Sequence, residues 1–137
     1  FDKIWRSGAG WPKLHKEWPT FWADLPLMPH ALTLWALLKP YHPSILSAIP
    51  DGWPTAAVGK KIWAKRHLPK FQYSPEEHFI AGRREDKQKY AAGGNLLIDD
   101  YDMNIREWEA AGGVGVHYLD GPRGLAAVKA ALNKYMR

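Results

Sequence analysis

Four short apolar runs, set between segments with helical spacing, constrain this chain more than any other feature. They are Pro43-Ser44-Ile45-Leu46-Ser47-Ala48, His78-Phe79-Ile80-Ala81, Asn95 to Asp99, and Val114 to Tyr118. Pro29 opens a helix in which Leu32, Trp35 and Leu38 recur at helical spacing, and Lys39-Pro40 stops it. Pro54 opens a second through Ala57, Val58, Ile62 and Lys65, ending near Leu68-Pro69. One or two helical turns are expected from Asp86 to Ala91. A helix from Asn104 to Ala111 turns Ile105 and Trp108 inward and stops at Gly112. A last helix over residues 124–136 carries Leu125, Val128, Leu132 and Tyr135 on one face. Short strands alternating with helices predict an α/β fold, a three-layer sandwich whose parallel sheet is covered on both faces. Residues 1–28 show no sustained period and carry Gly8, Gly10, Pro12, Pro19 and Pro26, which predicts loops and short helices.

With 137 residues the chain suffices for one domain that buries about two-thirds of its unfolded surface. No apolar run approaches the roughly 18 residues that span a bilayer, so no membrane partner is expected. The absence of cysteine excludes disulfides, thiolate metal sites and a cysteine nucleophile. It fits a reducing compartment, and the expected location is cytoplasmic. A formal charge of +5 favours an anionic partner. The cations, however, are spread over Lys60-Lys61, Lys65-Arg66, Arg83-Arg84 and Lys87 with Lys89, and form no stripe of the kind nucleic acid selects. Solvated helix faces account for most of them. Of eight tryptophans, Trp11, Trp18 and Trp22 crowd one proline-rich stretch, and the chain opens on Phe1 rather than methionine.

In a parallel sheet, function gathers at the carboxyl ends of the strands. There the stretch Gly94-Asn95-Leu96-Leu97-Ile98-Asp99-Asp100-Tyr101 runs three apolar residues into two adjacent carboxylates. Such a pair repels itself and loses hydration unless a cation neutralises it. A hard divalent ion with oxygen ligands, Mg²⁺, is the economical partner, with Asp99 and Asp100 as its ligands. A helix cap is the plainer use of an aspartate, but Asp102 is expected to fill that place. Ser47 puts a hydroxyl at a second strand end, and with the Ala48 backbone it makes a phosphate cradle. Lys87 supplies a fixed positive charge for the same anion.

Taken in order, Ser47, Lys87 and Asp99-Asp100 resemble three of the four motifs of the haloacid-dehalogenase superfamily of phosphohydrolases. The resemblance is strongest to 5'(3')-deoxyribonucleotidases and their phage and bacterial relatives. It runs through Leu25-Pro26-Leu27-Met28-Pro29-His30-Ala31, Val58-Gly59-Lys60-Lys61 with Trp63 and His67-Leu68, Arg84-Glu85-Asp86-Lys87, and Leu96 to Asp100. It implies a Rossmann-like sheet over residues 29–137 and a small cap over residues 1–28. The cap residues Trp11, Trp18, Phe21 and Trp22 are then candidates for stacking on a base. The implied activity is Mg²⁺-dependent hydrolysis of (deoxy)nucleoside monophosphates or another small phosphomonoester. An aspartate attacks phosphorus, while Ser47 and Lys87 hold the phosphoryl oxygens. Lys89, ten residues before Asp99, competes with Lys87 for the lysine role.

The family's first motif, a strand ending Asp-x-Asp that supplies the nucleophile, has no counterpart ahead of Ser47. Asp2 is a poor substitute, since no strand precedes it. The expectation is a chain that starts just after that motif, as a fragment or partial reading frame, and that is inactive alone. The alternative is a shortened relative that binds a nucleotide or a protein without turnover. A basic nucleic-acid-binding protein is the third reading. In the family the motif-one strand lies between those ending at Ser47 and Asp99. That place would be filled by an upstream segment, by a strand from a second copy in a homodimer, or by direct closure.

Overall fold

The structure, a computed structural model, describes residues 16, 18–50, 53, 55–68 and 78–136. Trp11, Asp2, Pro54 and Pro69 lie outside the described residues, as do the loops expected before residue 16. In chain order the elements are α1 (Phe21–Asp24), α2 (Ala31–Leu38), a 3₁₀ turn (Lys39–Tyr41), β1 (Ile45–Ala48), α3 (Ala56–His67) and β2 (Phe79–Gly82). Two further 3₁₀ stretches (Arg84–Tyr90 and Ala92–Gly94) lead into β3 (Leu96–Asp99), α4 (Asp102–Ala110), β4 (Val114–His117) and α5 (Pro122–Tyr135). The chain is thus mixed α/β, with short parallel strands in two small sheets. It divides into two compact units, one from the described residues of 1–26 and 44–83, the other from those of 27–43 and 84–137.

In the first unit β1 pairs in parallel with β2, Ile45 opposite Phe79 and Ala48 opposite Gly82. Parallel strands require a crossover, and α3 lies in it. Phe21, Trp53 and Ala56 form the buried core, with Trp22, Leu25 and Ile49 packed against it. Helix α1 is only four residues long, so its carbonyls need partners beyond the helix. Trp63 Nε1 donates to Leu25 O at 2.8 Å and Arg66 Nη1 to Ala23 O at 3.0 Å. Helix α3 buries its small residues: Ala56 and Ala64 face inward, while Val58 and Ile62 are exposed. Close approach decides this. A Cβ on Gly59 would stand 3.0 Å from Trp22 Cβ, so α3 turns small residues toward α1.

In the second unit β3 pairs in parallel with β4, Leu96 opposite Val114 and Asp99 opposite His117. Leu96 and Ile98 join a core of Val116, Tyr118, Val128 and Leu132, to which α2 adds Leu34, Leu37 and Leu38. Leu97 alternates to the other side of the strand. Helix α4 packs on both strands with Ile105 and Trp108 buried, as the spacing predicts. Trp108 Nε1 donates to Asn95 O at 2.8 Å, which ties the helix to the start of β3. Gly112, at φ +99°, ends the helix in the left-handed conformation expected of it.

Several local expectations change. The run Ala-Leu-Thr-Leu-Trp-Ala-Leu-Leu of α2 is apolar almost all round, so periodicity selects no face; packing leaves Leu32 exposed. Tyr135 is exposed in the last turn of α5. Ile45, Leu46, Leu96 and Ile98 are half-buried rather than buried; among the described residues each strand pairs with one neighbour only. Asp102 does not cap α4: it is the first helical residue and pairs with Arg106 one turn on.

Candidate functional site

The 3₁₀ stretch Arg84–Tyr90 brings Lys87 to the carboxyl end of β3. Lys87 Nζ donates to Asp99 Oδ2 at 2.8 Å, and the two side chains are only 12% and 8% exposed. The lysine therefore supplies the cation that the adjacent carboxylates call for. Asp100 needs none, since it stands exposed at the bend after the strand. Lys89 behaves differently: its side chain is 70% exposed and pairs with Asp86 at 3.1 Å. A 3₁₀ spacing of three residues per turn separates the faces on which Lys87 and Lys89 lie.

Asp99 is held at both oxygens. Its Oδ1 accepts the Tyr101 N–H at 2.8 Å, a local turn that starts α4, and its Oδ2 also accepts from Asn104 Nδ2 at 3.1 Å. Burial pushes the Asp99 carboxyl up. The bond from Lys87, the Tyr101 N–H, the Lys87 charge and the Asn104 amide outweigh it, leaving the group below the ordinary value of 3.8. Asp99 is thus an anion at neutral pH.

Behind this pair stands a second layer that the sequence does not signal. Asn104 Oδ1 accepts from Arg84 Nη1 at 3.0 Å, and Arg84 forks onto Glu107, Nη1 to Oε2 at 3.1 Å and Nη2 to Oε1 at 3.2 Å. The only sequence cue is that Asn104 and Glu107 share a helix face at i,i+3 spacing, and such pairs are usually solvated. On the exposed side, His117 Nε2 lies 2.9 Å from Asp100 O, which it satisfies when it carries the proton.

The remaining predicted residues lie in the first unit. Ser47 and Ala48 end β1 as expected, and the Ala48 carbonyl accepts from Lys60 Nζ, whose ammonium sits 4.4 Å from the Trp22 ring centre. Phe21 is enclosed by Trp22 edge-on at 4.9 Å and by Trp53 at 5.9 Å. Trp18 is exposed, and its Nε1 donates to Asp24 at 3.0 Å. Three cations expected to be solvated are engaged instead: Lys60, Arg66 and Arg84 reach acceptors distant in sequence.

Asp99 Oδ1 carries one donor and so keeps a lone pair, and Asp100 is exposed beside it. Magnesium takes one or two carboxylates and completes its shell with water, so this donor set fits a water-rich Mg²⁺ site. Among the described residues no group of three or more His, Asp or Glu is placed to hold a metal. No described helix is long and apolar enough to cross a membrane. No protein-family model, curated protein or solved structure significantly matches the chain.

Proposed function

We propose that this chain belongs to a Mg²⁺-dependent phosphomonoester hydrolase of the haloacid-dehalogenase type, acting on (deoxy)nucleoside monophosphates in the cytoplasm. The observation that carries this reading is the Lys87–Asp99 ion pair, 2.8 Å long and mostly buried at the carboxyl end of a parallel strand. It joins two residues twelve apart whose order after Ser47 matches the family. The three-layer sandwich with a cap over residues 1–28 is part of the same proposal.

Of the three Lys87 N–H donors, one goes to Asp99, which leaves two for phosphoryl oxygens. Asp99 holds the ammonium in place. Asp99 Oδ1 and Asp100 would hold Mg²⁺, which screens the charge of the phosphoryl group when bound. No Asp-x-Asp precedes Ser47 in these 137 residues, so they offer no attacking carboxylate of the family's kind. That same observation favours the second reading, a module that binds a nucleotide without turnover.

The test is phosphate release from 5'-deoxyribonucleoside monophosphates with Mg²⁺ by the product of the whole native reading frame. Turnover is expected to fall by about 10²–10³ in Lys87→Ala, the loss typical of a charge-stabilising donor. Full turnover in Lys87→Ala refutes the assignment. Nucleotide binding with no turnover selects the second reading.

A further inference from the structure

The Lys87–Asp99 pair does not stand alone, and its support is asymmetric. Asn104 is the one buried polar residue among the described residues, 6% exposed on the first turn of α4. Its two ends face opposite charges. Arg84 is a donor only, so it requires the Asn104 oxygen; ionised Asp99 is an acceptor only, so it requires the Asn104 nitrogen. The amide orientation follows from the charges on its two sides.

We infer that Asn104, oriented by Arg84 and Glu107, is a positioning residue that sets the Asp99 carboxylate for Lys87 and leaves Oδ1 as its open ligand atom. Asp99 Oδ2 receives two donors, Lys87 at 2.8 Å and Asn104 at 3.1 Å, while Oδ1 receives the Tyr101 N–H alone. That unequal loading fixes the carboxylate plane and directs any cation to Oδ1. Arg84 and Lys87 lie three residues apart on one 3₁₀ stretch, where i and i+3 eclipse. Arg84 grips Asn104 and Glu107 on α4, and Lys87 grips the end of β3. The fork between Arg84 and Glu107 thereby locks the lysine's own backbone. Aspartate at 104 keeps the acceptor for Arg84 but turns a second carboxylate toward Asp99. Alanine removes both contacts and leaves Arg84 paired with Glu107. Only the metal part of this inference rests on the proposed function; the positioning of the ion pair does not.

The experiment reads the Lys87 ammonium directly, by ¹⁵N-detected NMR of lysine side chains in the 137-residue chain. In the parent, the buried and paired Lys87 ammonium gives a slowly exchanging signal that disappears in Asp99→Asn. In Asn104→Ala and Arg84→Met the signal is expected to broaden or vanish while backbone amide spectra stay native. Asn104→Gln, which keeps the amide, is expected to restore part of it. A Mg²⁺ titration of the same samples is expected to show affinity falling about 10–100-fold in Asn104→Ala, the usual cost of losing a residue that orients a ligand. An unchanged Lys87 signal in folded Asn104→Ala overturns the positioning role. A parent chain that binds no Mg²⁺ overturns the metal reading alone, since the lysine signal still decides the role of Asn104.

Discussion

Replacing Lys87 by methionine keeps most of the side chain's apolar volume and deletes only its charge. At 2.8 Å the ammonium and carboxylate attract by about 6 kcal/mol at an effective dielectric near 20. Desolvating each ion costs several kcal/mol, so the pair adds little net stability. Breaking it is another matter. Lys87→Met strands a carboxylate that is 8% exposed, and removing one partner of a buried pair costs about 3–5 kcal/mol. Asn104 and the Tyr101 N–H still hydrogen-bond to Asp99, which places the cost near 3 kcal/mol. That is a large part of a domain stability of roughly 5–15 kcal/mol. Asp99→Asn is expected to cost less, about 1–3 kcal/mol, because the lysine stem can carry its charge to water. The double variant has neither charge to satisfy, so its loss should fall short of the summed single losses by about 2 kcal/mol or more. Amide hydrogen exchange of Val116 and Val128 in urea at pH 7 reads this in the unit that holds the pair. Additive losses, within about 0.5 kcal/mol, would refute the coupling.

Three other outcomes follow from the same geometry. Lys89→Ala should change stability by no more than about 0.5 kcal/mol, because its pair with Asp86 is exposed; a loss above 2 kcal/mol would mean that the two lysines have been assigned the wrong way round. Gly124→Ala should destabilise the second unit by about 1–3 kcal/mol, measured by urea unfolding, since the new Cβ meets the Leu119 carbonyl and stands 2.8 Å from the Tyr118 ring; a gain would show that α5 can shift to make room. Asp120 accepts from Tyr118 OH at 3.0 Å and from the His30 backbone N–H at 3.3 Å, with His30 Nδ1 at 3.1 Å. Burial raises its carboxyl, but those bonds and the His30 charge lower it below 3.8 on balance. A depressed carboxyl contributes stability above its unfolded pKa and loses it as pH falls through the folded one. Asp120→Asn should therefore flatten the decline in stability below about pH 4, and an unchanged acid limb by thermal melts would contradict it.

The alternation of apolar runs and helical spacing determined the four strands, whose observed ends lie within a residue or so of those expected. Local chemistry is enough for this, because a short apolar run between helices has few other ways to satisfy its backbone. Gly112 and the inward turn of Ile105 and Trp108 were legible for the same reason. The adjacency of Asp99 and Asp100 announced a charge problem but not its solution. Tertiary structure solved it by setting Lys87, twelve residues away, against Asp99 and leaving Asp100 in water. Packing also chose which faces of α2 and α3 went inward: an almost wholly apolar helix carries no face preference, and close approach to α1 overrode side-chain size. The Asn104–Arg84–Glu107 layer was invisible in the sequence. Its residues are common solvated types, and their meaning lies in a buried amide caught between opposite charges, which exists only once α4 lies against the 3₁₀ stretch.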